Sequence, residues 1–191
     1  MRRSVGTPQE RIAPGIGRAV QLALMGAALL ALAAGGSLAG LWPGAGSAGA
    51  QGQPPLPAVT VWLVRLDPQW EGDGVLGQVV AEVADEPEEQ RLGLMWRAEL
   101  PQGRGMLFVW PVEQHVTMWM RNTRIPLDMV FADRLGRIVR ITRNVPPCPD
   151  TEPNCPIYPS GRPVRYVLEL PAGDADRMGL REGDWLLVGE L

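Results

Sequence analysis

The side chains best suited to recognition chemistry fall in one stretch, Met118-Trp119-Met120-Arg121-Asn122-Thr123-Arg124-Ile125-Pro126-Leu127-Asp128. Trp119 offers an aromatic face, Asn122 and Thr123 offer amide and hydroxyl hydrogen bonds, and Arg121 and Arg124 offer guanidinium groups. Joined by Asp128 and by Tyr166 further along, they form a set able to bind a glycan or an acidic ligand. The same residues also have a purely structural use. Asn122 and Thr123 suit the turn before Pro126, Trp119 suits a core, and the Asp128 carboxylate can hold backbone amides or pair with Arg121 or Arg124.

Three other chemistries are open. Outside the first fifty residues the chain has one histidine, His115, and one serine, Ser160, so a Ser-His-carboxylate device would need both, with Asp128 or Glu169 as third member. Tyr158-Pro159-Ser160-Gly161 is not the Gly-x-Ser-x-Gly elbow that exposes a nucleophile. Two carboxylates, Asp128 with Glu169 or Glu82, could hydrolyse a glycosidic bond if the fold set them at the right separation. Met95, Met106, Met118, Met120 and Met129, near His115 and Trp119, are thioethers that could hold Cu(I) or Ag(I). Strand alternation puts Met118 and Met120 on one face and His115 and Trp119 on the other, which favours core packing for the methionines. The chain has no lysine, which excludes a Schiff-base lysine and a phosphate-loop lysine, and no motif names a cofactor.

The elements that must position these groups are mainly strands. Apolar, β-branched runs at 59–66, 75–84, 106–110, 116–120, 127–132, 137–144, 164–170 and 185–189 read as strands. Asp85 with Pro87 and Glu88 predicts the start of a short helix through Leu92 and Trp96, and a second short helix is expected near 172–178, ended by Gly179. Many short strands with two brief helices imply a mainly β jelly-roll-like sandwich or barrel.

The first fifty residues have a different character. Arg2, Arg3, Arg11 and Arg18 face one acid, Glu10, and residues 19–64 carry no charge. The apolar stretch 19–34 and the small-residue exit Ala48-Gly49-Ala50 suit a secretory signal cut before Gln51. An uncleaved alternative uses 19–42 as an anchor, since about 20 apolar residues span a bilayer. Residues 51–58 read as a Pro-rich linker and 59–191 as one domain, placed outside the cytoplasm in a periplasmic or extracellular setting. There Cys148 and Cys155, spaced C-x6-C in a Pro-rich loop, read as a disulfide, with a two-thiolate metal or redox site as the rival. Setting aside the four arginines and one acid of residues 1–50, 14 Arg face 20 Asp and Glu, a formal charge of −6 that disfavours nucleic acid as a partner.

From Glu82 onward the order of motifs resembles the domain of unknown function 192 family. The resemblance is carried by Gln90-Arg91-Leu92-Gly93-Leu94-Met95-Trp96-Arg97, Gly105-Met106-Leu107-Phe108-Val109-Trp110, the run Met118 to Phe131, the Cys148 to Cys155 loop, Arg165-Tyr166-Val167-Leu168-Glu169-Leu170 and Gly183-Asp184. It implies a compact, mainly β domain, often exported behind a signal or anchor, with no accepted reaction, cofactor or catalytic residue. Together these readings predict a disulfide-stapled, noncatalytic envelope domain that binds a glycan, an acidic ligand or an envelope protein, touching the membrane through its amino-terminal segment if that is retained. The alternatives are a carboxylate-dependent hydrolase of an envelope glycan and a Cu(I) or Ag(I) binder.

Overall fold

The apolar runs pair into a single sheet in a computed structural model that describes residues 52–66, 74–149 and 151–190. The expected signal or anchor in 1–50 lies outside those residues. Among the described residues no helix is long and apolar enough to cross a membrane. The elements are β1 (Ala58–Val64), β2 (Val75–Ala84), α1 (Pro87–Leu92), β3 (Arg104–Trp119), β4 (Leu127–Ala132), β5 (Ile138–Val145), β6 (Ile157–Pro171), α2 (Asp174–Arg177) and β7 (Trp185–Val188). Strand order is β5-β4-β6-β3-β2-β1-β7, antiparallel except for the β2–β3 pair. A parallel pair needs a crossover, which α1 and the loop after it provide.

The sheet curls until its outer strands meet at one corner. The Ile138 amide donates to the Asp184 carbonyl (2.8 Å), Gly183 to Ile138 (2.8 Å) and Leu186 to Gly136 (2.7 Å). Gly136 is required there: at φ 90° its missing Cβ would lie 2.2 Å from the Leu186 carbonyl oxygen. The mainly β expectation with two short helices holds, and the fold is the barrel-like form of it, one curled sheet rather than two stacked ones.

Three local expectations are corrected. Residues 106–110 and 116–120 are one strand, β3, whose pairing with β6 shifts register between Val109 and Gln114 and again between His115 and Thr117. Pro111 interrupts the ladder because it has no N–H, yet the partner strand continues alongside, so the break is a bulge. For the same reason β6 begins at Ile157 and not at 164. Ser160 fills the irregularity, its hydroxyl accepting from the Val116 amide (3.2 Å) and donating to the Arg162 carbonyl (2.6 Å). The helix α1 starts one residue later than Asp85 predicted, with Glu86 at its N-cap. The Glu89 carboxylate reaches back to the amides of Asp85 (3.3 Å) and Glu86 (3.2 Å).

Alternation along the central strands sorts the apolar side chains into two cores on opposite faces. Val61, Leu63, Val79, Leu107, Val130, Leu168 and Leu170 pack together on one face. Met106, Phe108, Met118, Met120, Leu127, Met129 and Phe131 pack on the other. Every residue of β4 is therefore buried. Met118 and Met120 are buried while His115, Thr117 and Trp119 are exposed, as parity requires. The expected disulfide is present, Cys148–Cys155, with Cα atoms 5.9 Å apart. Cys148 also donates its amide to the Thr123 carbonyl (3.2 Å), so the stapled loop holds the 121–123 segment. The expected linker is fastened to the domain: Gln53 Nε2 donates to the Gly93 carbonyl (2.9 Å) and the Leu56 amide to Glu82 (2.8 Å).

Candidate functional site

The second core contains an acid. β6 lies between β3 and β4, and Glu169 stands opposite Met106 on one side and Met129 on the other. Its neighbours Leu168 and Leu170 belong to the first core, so Glu169 points into the second. It is 3 % exposed, and among the described residues its carboxyl has neither a hydrogen bond nor an ion pair. Burial alone pushes its pKa up to about 8, so the group is neutral at pH 7. A neutral carboxylic acid both donates and accepts one hydrogen bond, unlike a carboxylate.

Above it opens a small cleft of about 20 Å3, lined by Glu169, Gln90, Met95, Met118, Trp119, Arg121 and Thr123 among others. That is room for one water. Gln90 is fixed by donation from Nε2 to the Val109 carbonyl (2.8 Å). At the rim Trp119 is 43 % exposed, with the Arg121 guanidinium 5.7 Å from its ring centroid. The turn that presents them is built by Thr123 donating its amide to the Met120 carbonyl (2.9 Å) and by Asn122, whose φ of 57° is left-handed. Trp96, also left-handed at 66°, donates to the Asn122 carbonyl (2.9 Å) and so joins the loop after α1 to this turn.

The predicted set divides. Trp119, Arg121 and Thr123 line the cleft. Asn122 shapes the turn, and its amide meets the Met95 sulfur at 3.8 Å. Arg124 lies over the Trp96 ring at 5.3 Å. Asp128 is fully buried on the first-core side of β4, its two oxygens accepting from the amides of Asn144 (2.8 Å) and Ala175 (2.9 Å). Tyr166 packs against the first core, with Arg165 5.6 Å over its ring.

The catalytic combinations do not converge on this cleft. Ser160 is 2 % exposed with its hydroxyl bonded to backbone, and His115 is exposed. Glu82 is held by Arg97 through two contacts of 2.6 Å. Of the three carboxylates weighed for hydrolysis, Glu169 alone is uncommitted. Among the described residues no three His, Cys, Asp or Glu side chains gather to hold an ion. From the sequence, Glu169 is a candidate third member beside Ser160 and His115 or a partner for Asp128. The signal that marks it is an acid in the middle of the apolar run Val167-Leu168-Glu169-Leu170.

A search of curated proteins gives no match to the chain. Among solved structures, a presumptive transcription regulator from Sinorhizobium meliloti 1021 is similar at 34 % identity and a TM-score of 0.62, covering 72 % of this chain and 98 % of its own. A protein of unknown function from Novosphingobium aromaticivorans DSM 12444 is similar at 32 % identity and a TM-score of 0.59, covering 74 % and 94 %. With residues 69–188 matching the model described as Uncharacterized ACR, and with the motif order and curled sheet in agreement, the chain belongs to the domain of unknown function 192 family.

Proposed function

We propose that this chain is an exported or membrane-tethered envelope protein whose domain binds a ligand, without catalysis, at the Glu169 cleft. The observation that carries the reading is an uncommitted, neutral acid beneath an exposed tryptophan and a guanidinium. Isolated buried carboxyls are costly and are retained where they serve a purpose. The cleft admits one small polar group, so the ligand lays an apolar ring face on Trp119 and sends a hydroxyl or amide down to Glu169. An envelope glycan has both features. Placement outside the cytoplasm rests on the Cys148–Cys155 disulfide and on the composition of residues 1–50.

Titration with envelope glycan fragments, followed by nuclear magnetic resonance, tests this. Glu169→Gln keeps a neutral donor and acceptor and retains binding, whereas Glu169→Leu weakens it about tenfold, the equivalent of one lost hydrogen bond to a buried partner, and Trp119→Ala weakens it about tenfold through the lost ring contact. Unchanged affinity in both weakening variants, or no saturable binding by the native chain, refutes the reading. A hydrolase would need a second free carboxyl beside Glu169. The Cu(I) or Ag(I) reading draws on Met95 and Met118 in the same cleft, and stoichiometric Ag(I) uptake lost on Met118→Leu would favour it. The regulator description of the Sinorhizobium relative is not carried over, because a domain of charge −6 repels nucleic acid.

A further inference from the structure

At the corner where the sheet closes lies a second cavity, of about 280 Å3, which shares no residue with the Glu169 cleft. Ile138 and Gly183 form part of its wall, bonded to each other across the seam (Gly183 amide to Ile138 carbonyl, 2.8 Å), and Arg137 and Arg162 line it. The Arg137 backbone is held firmly. Its amide donates to Asp133 Oδ1 (2.9 Å) and its carbonyl accepts from the Asp133 amide (3.0 Å), closing a tight turn. Arg137 Nη2 lies 3.9 Å from where a Cβ on Gly183 would stand. Arg140 Nη1 lies 3.5 Å from the corresponding point on Gly161, next to Arg162.

Among the described residues, ion pairs engage some arginines of the domain but not the ones at this cavity. Arg65, Arg91, Arg97, Arg143 and Arg177 each have a carboxylate partner. Among the described residues the guanidiniums of Arg137, Arg140 and Arg162 have none. The nearby Asp184 cannot serve, since both its oxygens are taken by Arg65 at 2.8 Å. Asp133 spends one oxygen on the turn amides of Leu135 and Arg137, and Glu182 shares the rim. Within the cavity, which is large enough for a ligand group, Arg137 and Arg162 balance the rim acids Asp133 and Glu182, and Arg140 beside Gly161 tips the local charge to positive on a domain of net charge −6.

We propose that this cavity is an anion site that takes a phosphate monoester or diester, gripped by the forked donors of Arg137 and Arg162, with Arg140 adding charge from beside Gly161. The phosphate belongs either to a soluble ester or to a lipid headgroup, and the rim acid Glu182 weakens its hold.

The full chain is titrated at low ionic strength with inorganic phosphate, with amide shifts of Gly183 and Ile138 as the readout. Vesicles of phosphatidylglycerol in phosphatidylcholine, against phosphatidylcholine alone, form the second arm. Expected are saturable phosphate binding, about tenfold weaker binding in Arg137→Gln and in Arg162→Gln, tighter binding in Glu182→Gln, and no change in Arg134→Gln, an exposed neighbour outside the cavity. Tightening by Glu182→Gln is the effect that a merely structural role for the arginines would not produce, and it remains readable if either arginine variant fails to fold. Vesicle binding with the same dependence on variants identifies a lipid source; phosphate binding without it identifies a soluble ester. No saturable phosphate binding, or equal affinity in the native chain, Arg162→Gln and Glu182→Gln, overturns the proposal.

Discussion

Glu169→Gln should make the protein more stable, and by an amount that depends on pH. Burial raises the folded-state pKa of Glu169 to about 8 from its ordinary 4.5. Below pH 4.5 the carboxyl is protonated in both folded and unfolded chains and contributes no pH dependence. Between 4.5 and 8 the unfolded chain releases the proton and the folded chain keeps it, so stability falls as pH rises, by about 1.4 kcal/mol per pH unit. Above 8 both states are ionised and the loss levels off, at roughly 5 kcal/mol in total and roughly 3 kcal/mol by pH 7. Glutamine has nearly the same shape and no titration, so the variant removes this loss. Urea unfolding of both proteins at half-unit steps from pH 4 to 9, disulfide intact, gives the difference free of every other titrating group. The difference should rise from its pH 4 value across that window and then flatten. A difference that stays level from pH 4.5 to 8 would mean that the carboxyl finds a partner or ionises freely, and the neutral donor at the base of the cleft would be lost with it.

Three further outcomes follow from the packing. Cys148→Ala with Cys155→Ala should cost about 2–3 kcal/mol in urea unfolding through the freed unfolded chain. It should also broaden the amide signals of 121–123, which the Cys148 backbone holds. Asp128→Ala leaves the amide of Asn144 and the buried amide of Ala175 without their acceptor and should destabilise by roughly 2–4 kcal/mol, whereas a glycan-binding role for Asp128 would lower affinity without that loss. Asp184→Ala removes the carboxylate that neutralises the Arg65 guanidinium, 8 % exposed, leaving the Gly179 carbonyl among its acceptors, and should cost about 3–5 kcal/mol by thermal or urea unfolding; a value near 1 kcal/mol would show that water replaces the carboxylate.

Features that depend on near neighbours along the chain were legible from the residues alone. The period of two in Val116 to Met120 fixed which side chains turn inward, because parity is a property of the strand alone. Cys148 and Cys155 are close enough in sequence that the Pro-rich loop between them brings them together. The strand runs, the two short helices and the family were legible for the same reason. Which buried face each inward side chain joined, and what it met there, was set by pairing between distant strands. Asp128 and Glu169 read alike in sequence, each an acid within an apolar strand. The order β5-β4-β6-β3 and the placement of α2 gave Asp128 two backbone amides on one face and left Glu169 among thioethers on the other. The joining of 106–110 with 116–120, the division of the Trp119 to Asp128 set between cleft and core, and the arginine cavity at the seam likewise arise from pairings between distant segments. Their partners lie tens of residues away, and no local pattern encodes them.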